Sequence, residues 1–227
     1  AITLFTRIAF ISTLRNEYYF ADTAEYRANA IDMLAGRAPD PSTPRAPVFP
    51  AFLAVGYALF GLDNFLALRL MQLVFSVALV LAGVALGRRV GGPAIGLLTG
   101  LGIALSPTLV FSIKVPAPTE IYTLLLVFVT LGALAMAEKP GFWNSIGTGA
   151  ALALGILTDP VMIAPGAAAL GWTAARSLRT GRALFFATLL AAVTAGGLTE
   201  AYMRTQKSPD TGEAPFLGKA QWTLWWA

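Results

Sequence analysis

The chain has 227 residues, of which 56% are hydrophobic and only 12% are charged, and its mean hydropathy is +0.68. Because soluble domains carry about 25% charged residues, this composition excludes a disordered chain and disfavours a water-soluble globule. The absence of cysteine and histidine excludes disulfides, thiolate nucleophiles, Cys/His zinc sites and histidine acid–base chemistry, while the net charge of +4 fits membrane-flanking basic residues better than a nucleic-acid surface.

Apolar segments long enough to cross a bilayer recur along the chain. They predict an all-α fold, a polytopic membrane helix bundle of about seven spans within a transmembrane domain over residues 1–203. The first residue is Ala1, inside an apolar run, so we expect a fragment; residues 204–227 are expected to be an outer tail or the start of a further region. The predicted spans are 1–13, 64–87, 93–113, 119–137, 143–158, 160–176 and 182–203.

The longest connection, residues 14–46, is predicted to be an outer loop containing an amphipathic helix at 20–36. Its apolar stripe would hold Tyr26, Ala30, Met33 and Leu34, and its polar stripe Asp22, Glu25, Asn29 and Asp32. Such a helix would lie along the membrane surface. A short apolar helix over 47–61 follows a proline-rich strap and is expected to dip into one leaflet.

The short connections predict the orientation of the chain. Arg88, Arg89, Lys139, Arg176, Arg179 and Arg182 would share one side, which the positive-inside rule makes cytoplasmic. Four acids from three separate connections then fall on the opposite side: Asp22, Glu25, Glu120 and Asp159. This convergence favours a functional site, although outer loops also tolerate acids without any function.

Four of the candidate residues have a simpler explanation that the sequence leaves open. Asp22 and Glu120 both lie near helix starts, where a carboxylate can be a helix cap and have no further role. Arg45 and Arg69 lie near the ends of apolar helices, where a long basic side chain can snorkel to the head groups. Lys114 lies at the outer end of a span, before the irregular segment 116–122.

Several segments resemble the integral-membrane glycosyltransferases of the GT-C type that use polyprenyl-phosphate sugars, including protein mannosyltransferases and aminoarabinose transferase. The similar segments are ADTAEYRANAIDMLAG (21–36), RAPVFPAFLAVGYALFG (45–61), ALRLMQLVFSVALVLAGVALGRRVGG (67–92), ALSPTLVFSIKVPAPTEIY (104–122) and GAALALGILTDPVMIAPG (149–166). They cover most of residues 16–166. Relatives often read Leu-Thr-Arg-Pro where this chain has Leu157-Thr158-Asp159-Pro160, a departure that bears on phosphate binding.

The resemblance implies a multi-pass protein of the cell (inner) membrane with its active site on the periplasmic or extracellular side. Its partners would be the bilayer, a polyprenyl-phosphate sugar donor and an acceptor that is a protein, lipid or glycan. Asp22 matches the family's catalytic base, and Glu120, the second expected catalytic residue, matches an acid after the Pro-rich loop of the third span. Glu25, Tyr26, Arg45, Arg69, Lys114 and Asp159 are the expected substrate-binding residues. No cofactor is required, although a divalent metal held by Asp22 and Glu120 is compatible with the sequence.

Phosphate is a good leaving group, so one carboxylate that deprotonates the acceptor is sufficient, and direct displacement inverts the anomeric centre. Two alternatives stay open. A transporter or flippase of a lipid-linked or polar solute also needs intramembrane charges and Gly/Pro-rich helices, but here the charges gather on one face and no inverted repeat is visible. The other alternative is an inactive membrane scaffold.

Overall fold

The computed structural model describes residues 2–15, 21–37, 45–114 and 117–205, and every regular element in these ranges is helical. Two 3₁₀ turns, Ser112–Lys114 and Pro160–Met162, accompany the α-helices. The predicted all-α class is therefore confirmed for the described part of the chain. The helices are α1 (Ile2–Ile11), α2 (Ala21–Leu34), α3 (Val48–Phe60), α4 (Phe65–Leu105), α5 (Pro107–Phe111), α6 (Thr119–Glu138), α7 (Phe142–Ile156), α8 (Ile163–Thr180) and α9 (Arg182–Thr205).

The chain divides into two compact units, residues 1–124 and residues 125–227. We call them the first unit and the second unit. Helices α1 to α5 belong to the first unit, and α7 to α9 belong to the second. Helix α6 begins in the first unit and continues into the second.

Helix α4 is a hairpin of two antiparallel arms. Its backbone leaves helical geometry at Gly91 and at Gly92, whose φ of 82° favours glycine, and Pro93 opens the second arm. The arms touch at small residues: a Cβ on Gly87 would lie 2.8 Å from the Cα of Gly96. Glycine therefore lets the two backbones approach closely, as it does in many membrane helix pairs.

Helix α2 packs against α3, and this contact sets which of its faces is buried. Tyr26 and Ala30 are buried, and the Tyr26 ring meets the Phe49 ring edge-on at 5.0 Å. Asn29, expected on the polar stripe, is only 1% exposed, whereas Leu34 is 46% exposed. The predicted helix is present, but its predicted stripes are partly wrong because packing on α3 buries the Asn29 side.

Helix α3 has 13 residues and advances about 20 Å, less than the roughly 30 Å of a bilayer's hydrocarbon core. It begins after Pro47 and ends at Gly61, whose φ is 87°. The predicted short helix is therefore present, and its place in one leaflet stays a prediction. The side of α3 that carries Gly56 faces α4, since a Cβ on Gly56 would overlap the side chains of Leu68 and Met71.

In the second unit, α9 packs against both α7 and α8. Small residues carry the contact between α7 and α9: a Cβ on Gly149 would lie 2.5 Å from the carbonyl oxygen of Ala191. Met136, Leu184, Ala187 and Ala191 form a buried cluster, with Leu170 packed against it.

The predicted number of seven spans is not confirmed. Three described helices are long and apolar enough to cross a membrane: Phe65–Leu105, Thr119–Glu138 and Arg182–Arg204. The predicted spans 64–87 and 93–113 became the two arms of α4, and the second arm stops at Leu105. Pro107 explains this break, because it has no N–H to donate to the carbonyl of Ile103.

Candidate functional site

Three of the predicted substrate-binding residues meet where α2 packs near the start of α3. Arg45 Nε donates to Glu25 Oε2 at 2.6 Å, and the Arg45 guanidinium lies 4.9 Å from the centre of the Tyr26 ring. The Arg45 side chain is 12% exposed, so this contact is largely shielded from solvent. Arg45 is therefore held among protein groups, and its charge is partly neutralised by Glu25.

A second ion pair ties α2 to the turn between α3 and α4. Arg27 donates to both carboxylate oxygens of Asp63, with Nε–Oδ1 at 2.8 Å and Nη2–Oδ2 at 2.6 Å. Asp63 has a φ of 59°, a left-handed conformation that is uncommon outside glycine. The bidentate geometry fixes the orientation of α2 relative to the head of α4.

A stripe of buried polar residues runs down one face of the first arm of α4. Arg69, Gln72 and Ser76 are spaced three and four residues apart and are 3%, 2% and 0% exposed. We call these three residues the α4 stripe. Arg69 Nη2 donates to the carbonyl of Arg15 at 2.6 Å, and Gln72 Nε2 donates to the carbonyl of Ala117 at 3.4 Å. The stripe thus holds the chain after α1 and the chain before α6.

At the deep end of the stripe, Ser76 bridges two buried side chains of opposite charge. Arg7 Nε donates to Ser76 Oγ at 2.7 Å, and the Ser76 hydroxyl donates to Glu120 Oε1 at 2.6 Å. Arg7 is 0% exposed and Glu120 is 1% exposed. Glu120 Oε2 has no hydrogen-bond partner among the described residues. This Arg7–Ser76–Glu120 cluster joins α1, α4 and α6.

The break in α4 explains why an arginine lies here. Pro107 and the bend at Ser106 end the regular hydrogen bonding of the second arm, where the Ile103 carbonyl accepts from the Ser106 N–H at 3.4 Å. Arg7 Nη1 donates to the carbonyl of Ala104 at 2.6 Å, and Nη2 to that of Ile103 at 3.4 Å. A cation at a helix C-terminus also opposes the helix dipole. Arg7 therefore caps the arm and faces Glu120 at the same time.

Glu120 is more buried than the sequence suggests. Its carboxylate bonds to Ser76, about 16 Å along α4 from Phe65. Its carboxylate accepts from the Ser76 hydroxyl at 2.6 Å and lies 3.3 Å from the Ser112 hydroxyl, which is itself 2.9 Å from the Leu109 carbonyl. The reading of Glu120 as a simple helix cap is therefore wrong.

Lys114 ends the 3₁₀ turn Ser112–Lys114, just before the connection to α6. Its ammonium nitrogen lies 5.3 Å from the centre of the Phe111 ring. The turn is anchored from inside, since Ile113 is fully buried against Ile11 and Leu73. Lys114 thus sits on a well-packed turn.

Asp159 belongs to the second unit and has a local contact. Its Oδ1 accepts from the backbone N–H of Val161 at 3.0 Å, which caps the 3₁₀ turn that Pro160 opens. Nothing in this contact requires a substrate, and a substrate-binding role for Asp159 stays a prediction.

Asp22 lies in the first turn of α2, while its side chain is outside the part of the chain that the structure describes in detail. Its role as base stays a prediction. Sequence reasoning missed Arg7, Ser76 and Ser112. A charge inside the apolar run of α1 was the available signal for Arg7, whereas the serines have no local signature.

Within the described ranges, no three acidic side chains are grouped so that they could hold a metal ion. Arg7, Ser76 and Glu120 instead form a buried, charged cluster between helices of the first unit, and charged groups inside membrane segments are a common sign of a functional site.

The model of the family described as dolichyl-phosphate-mannose-protein mannosyltransferase matches residues 43–198. This range is more than two thirds of the chain, so the chain belongs to that family. It is an integral-membrane glycosyltransferase of the GT-C type. The matched range includes Arg45, Arg69, Lys114, Glu120 and Asp159, and it begins after α2. No curated protein and no solved structure matches the chain.

Proposed function

We propose that the protein transfers a sugar from a polyprenyl-phosphate donor to a hydroxyl or amine acceptor on the non-cytoplasmic side of the inner membrane. The observation that carries the proposal is the family match over residues 43–198. The burial of charged side chains between the helices of the first unit supports it, because a phosphate-bearing lipid substrate needs charged groups within reach of the bilayer.

In the proposed reaction, Asp22 is the general base. Its carboxylate accepts the proton of the acceptor group while the acceptor oxygen or nitrogen attacks the anomeric carbon. The bond from that carbon to the phosphate oxygen breaks, and polyprenyl phosphate leaves as an anion. Because the displacement is direct, the anomeric configuration inverts. The start of α2 at Ala21 supports this role, since the helix dipole stabilises a carboxylate in the first turn.

Positive side chains of the first unit would stabilise the charge that develops on the departing phosphate. We assign this contact first to Lys114, because it adjoins the connection that leads into α6. Arg45 and Arg69 add positive charge near the heads of α3 and α4, and Glu25 and Tyr26 orient Arg45. No metal is required by this chemistry.

The length of α3 supports a lipid-linked donor. A 13-residue helix does not fill the thickness of the hydrocarbon core. Beside it, a polyprenyl chain can stay in the bilayer while its phosphate approaches the protein from the side.

The proposal is tested with membranes that contain the protein, their endogenous acceptors and polyprenyl-phosphate mannose labelled in the sugar. Asp22→Asn should reduce label transfer at least about 100-fold, since a general base contributes roughly 10²- to 10⁴-fold. Asp32→Asn is the matched control, because it removes a carboxylate from the same helix and Asp32 pairs with the exposed Arg37. Asp32→Asn should transfer label at the rate of the unsubstituted protein.

Near-normal transfer by Asp22→Asn would overturn the assignment of the base. Equal losses in both variants would show that transfer depends on the total negative charge of α2, and this too would contradict a specific role for Asp22. Movement of labelled donor across the membrane without release of polyprenyl phosphate would favour the transporter alternative and contradict the proposed reaction.

A further inference from the structure

We infer that Arg7 and Glu120 form a buried charge pair, bridged by Ser76, that positions Lys114 for the donor phosphate. Glu120 is then a positioning residue, and Arg7 is its counter-charge. This inference rests on the proposed function only for the role of Lys114. The pair itself stands on the contacts among α1, α4 and α6.

The two charges need each other. A charged side chain that is removed from water is costly unless an opposite charge and hydrogen bonds compensate it. Arg7 and Glu120 are at most 1% exposed, and the Ser76 hydroxyl links them by two short hydrogen bonds. Removal of one partner would leave the other buried without its counter-charge, and removal of both would leave neither.

Glu120 also reaches the turn that carries Lys114. Ser112 Oγ lies 3.3 Å from Glu120 Oε1, the same oxygen that accepts from Ser76, and Ser112 begins the turn that Lys114 ends. Glu120 itself lies in the first turn of α6, on the far side of the connection. The Glu120 carboxylate therefore links the first turn of α6 to the turn that ends at Lys114.

The first experiment measures thermal unfolding of the full chain in detergent. Arg7→Met and Glu120→Gln should each lower the Tm by about 10 °C, as expected when one member of a buried pair is removed. Addition of Glu120→Gln to the Arg7→Met protein should raise the Tm again, because the unpaired carboxylate disappears. The Ala104 carbonyl stays uncapped in the double variant, so recovery should be partial.

Arg27→Met provides the matched background, since Arg27 pairs with Asp63 in the same unit. Glu120→Gln should lower the Tm of that protein as it does in the unsubstituted chain. If Glu120→Gln also lowers the Tm of the Arg7→Met protein, the two residues are independent and the pair is refuted.

The second experiment measures binding of polyprenyl phosphate at a temperature well below the Tm of every variant. Glu120→Gln should weaken binding about 5- to 10-fold, and Glu120→Asp should recover part of the loss. In a Lys114→Met background, Glu120→Gln should have no further effect, because it acts through Lys114. A purely structural role would not produce this loss of effect.

The outcomes separate this inference from the proposed function. If Lys114→Met leaves binding unchanged, the phosphate contact of the proposed function is wrong, while the Tm cycle still decides the pair. If Lys114→Met weakens binding but Glu120→Gln weakens it equally in both backgrounds, Glu120 does not position Lys114, and that part of the inference is overturned.

Discussion

The two units of the chain satisfy their buried polar groups in different ways. In the first unit, buried side chains bond across elements that are far apart in sequence, as in the bonds from Arg7 to Ser76 and from Ser76 to Glu120. In the second unit, most buried hydroxyls bond to their own helix. Ser145 donates to the carbonyl of Gly141, and Thr148 to that of Asn144.

This difference separates specific structure from generic packing. A hydroxyl that bonds to a carbonyl three or four residues earlier satisfies itself wherever the helix is placed. A buried arginine or glutamate needs a partner from another element, so it fixes one arrangement of helices at an energetic cost. We therefore expect substitutions of buried polar residues in the first unit to affect function. In the second unit, we expect stability to depend mainly on how closely the helices pack.

The largest expected effect on donor binding concerns the cation assigned to the phosphate. Lys114→Met should weaken polyprenyl phosphate binding roughly 10- to 100-fold, because a hydrogen bond to a charged group contributes about 1.5–3 kcal/mol. Lys139→Met removes the same charge after α6 and should leave the affinity unchanged. Titration of both variants with labelled polyprenyl phosphate measures this difference, and equal losses would point to a general electrostatic effect instead.

Two buried serines allow a direct comparison of the units, since Ser76 and Ser145 are both 0% exposed. Ser76→Ala should lower the Tm by about 5 °C, because it removes the bridge between two charges. Ser145→Ala should change the Tm by less than about 2 °C, because the Gly141 carbonyl keeps its backbone partner. Similar shifts in thermal unfolding would erase the contrast between the units.

A glycine in the second unit tests its dependence on packing. Gly149→Ala should lower the free energy of unfolding by roughly 1–3 kcal/mol and the Tm by a few degrees, since the new Cβ would meet the backbone oxygen of Ala191. Gly147 lies on the same helix with nothing within 4 Å of its Cβ position. Gly147→Ala should therefore leave the Tm unchanged or raise it slightly. A stable Gly149→Ala protein would mean that α7 and α9 can separate at little cost.

The smallest effect is expected for the partly exposed ion pair between Arg27 and Asp63, whose side chains are 33% and 36% exposed. Arg27→Gln should cost less than about 1 kcal/mol, and added salt should reduce the difference. Thermal unfolding at low and high salt checks this. A loss as large as that of Ser76→Ala would show that burial does not decide which charges matter in the first unit.

Hydropathy predicted much of the fold, because the apolar segments of a membrane protein are a local property of the sequence. Helices α7 and α9 begin and end close to the predicted spans 143–158 and 182–203. The break at Ser106 was missed, although Pro107 was visible, because the segment around it stays apolar. The face of α2 was partly mispredicted, because contact with α3 decides which side chains are buried.

The candidate site was harder to predict for a physical reason. The contact between Arg45 and Glu25 joins residues of one loop and the helix it contains, and sequence analysis had selected both. The cluster around Ser76 joins residues up to 97 positions apart when the bond from Arg7 to Ala104 is included. Such contacts depend on how helices pack, and one sequence has no signal for them beyond an unexpected charge in an apolar run.

The central claim is that this chain moves a sugar from a polyprenyl phosphate by breaking the bond between the anomeric carbon and the phosphate oxygen. The most direct test uses polyprenyl-phosphate mannose with one label in the sugar and another in the phosphate, added to membranes that contain the protein. The account predicts that the sugar label enters the acceptor with inverted configuration while the phosphate label stays with the lipid. If both labels stay on one molecule, whichever side of the membrane it reaches, the account is contradicted.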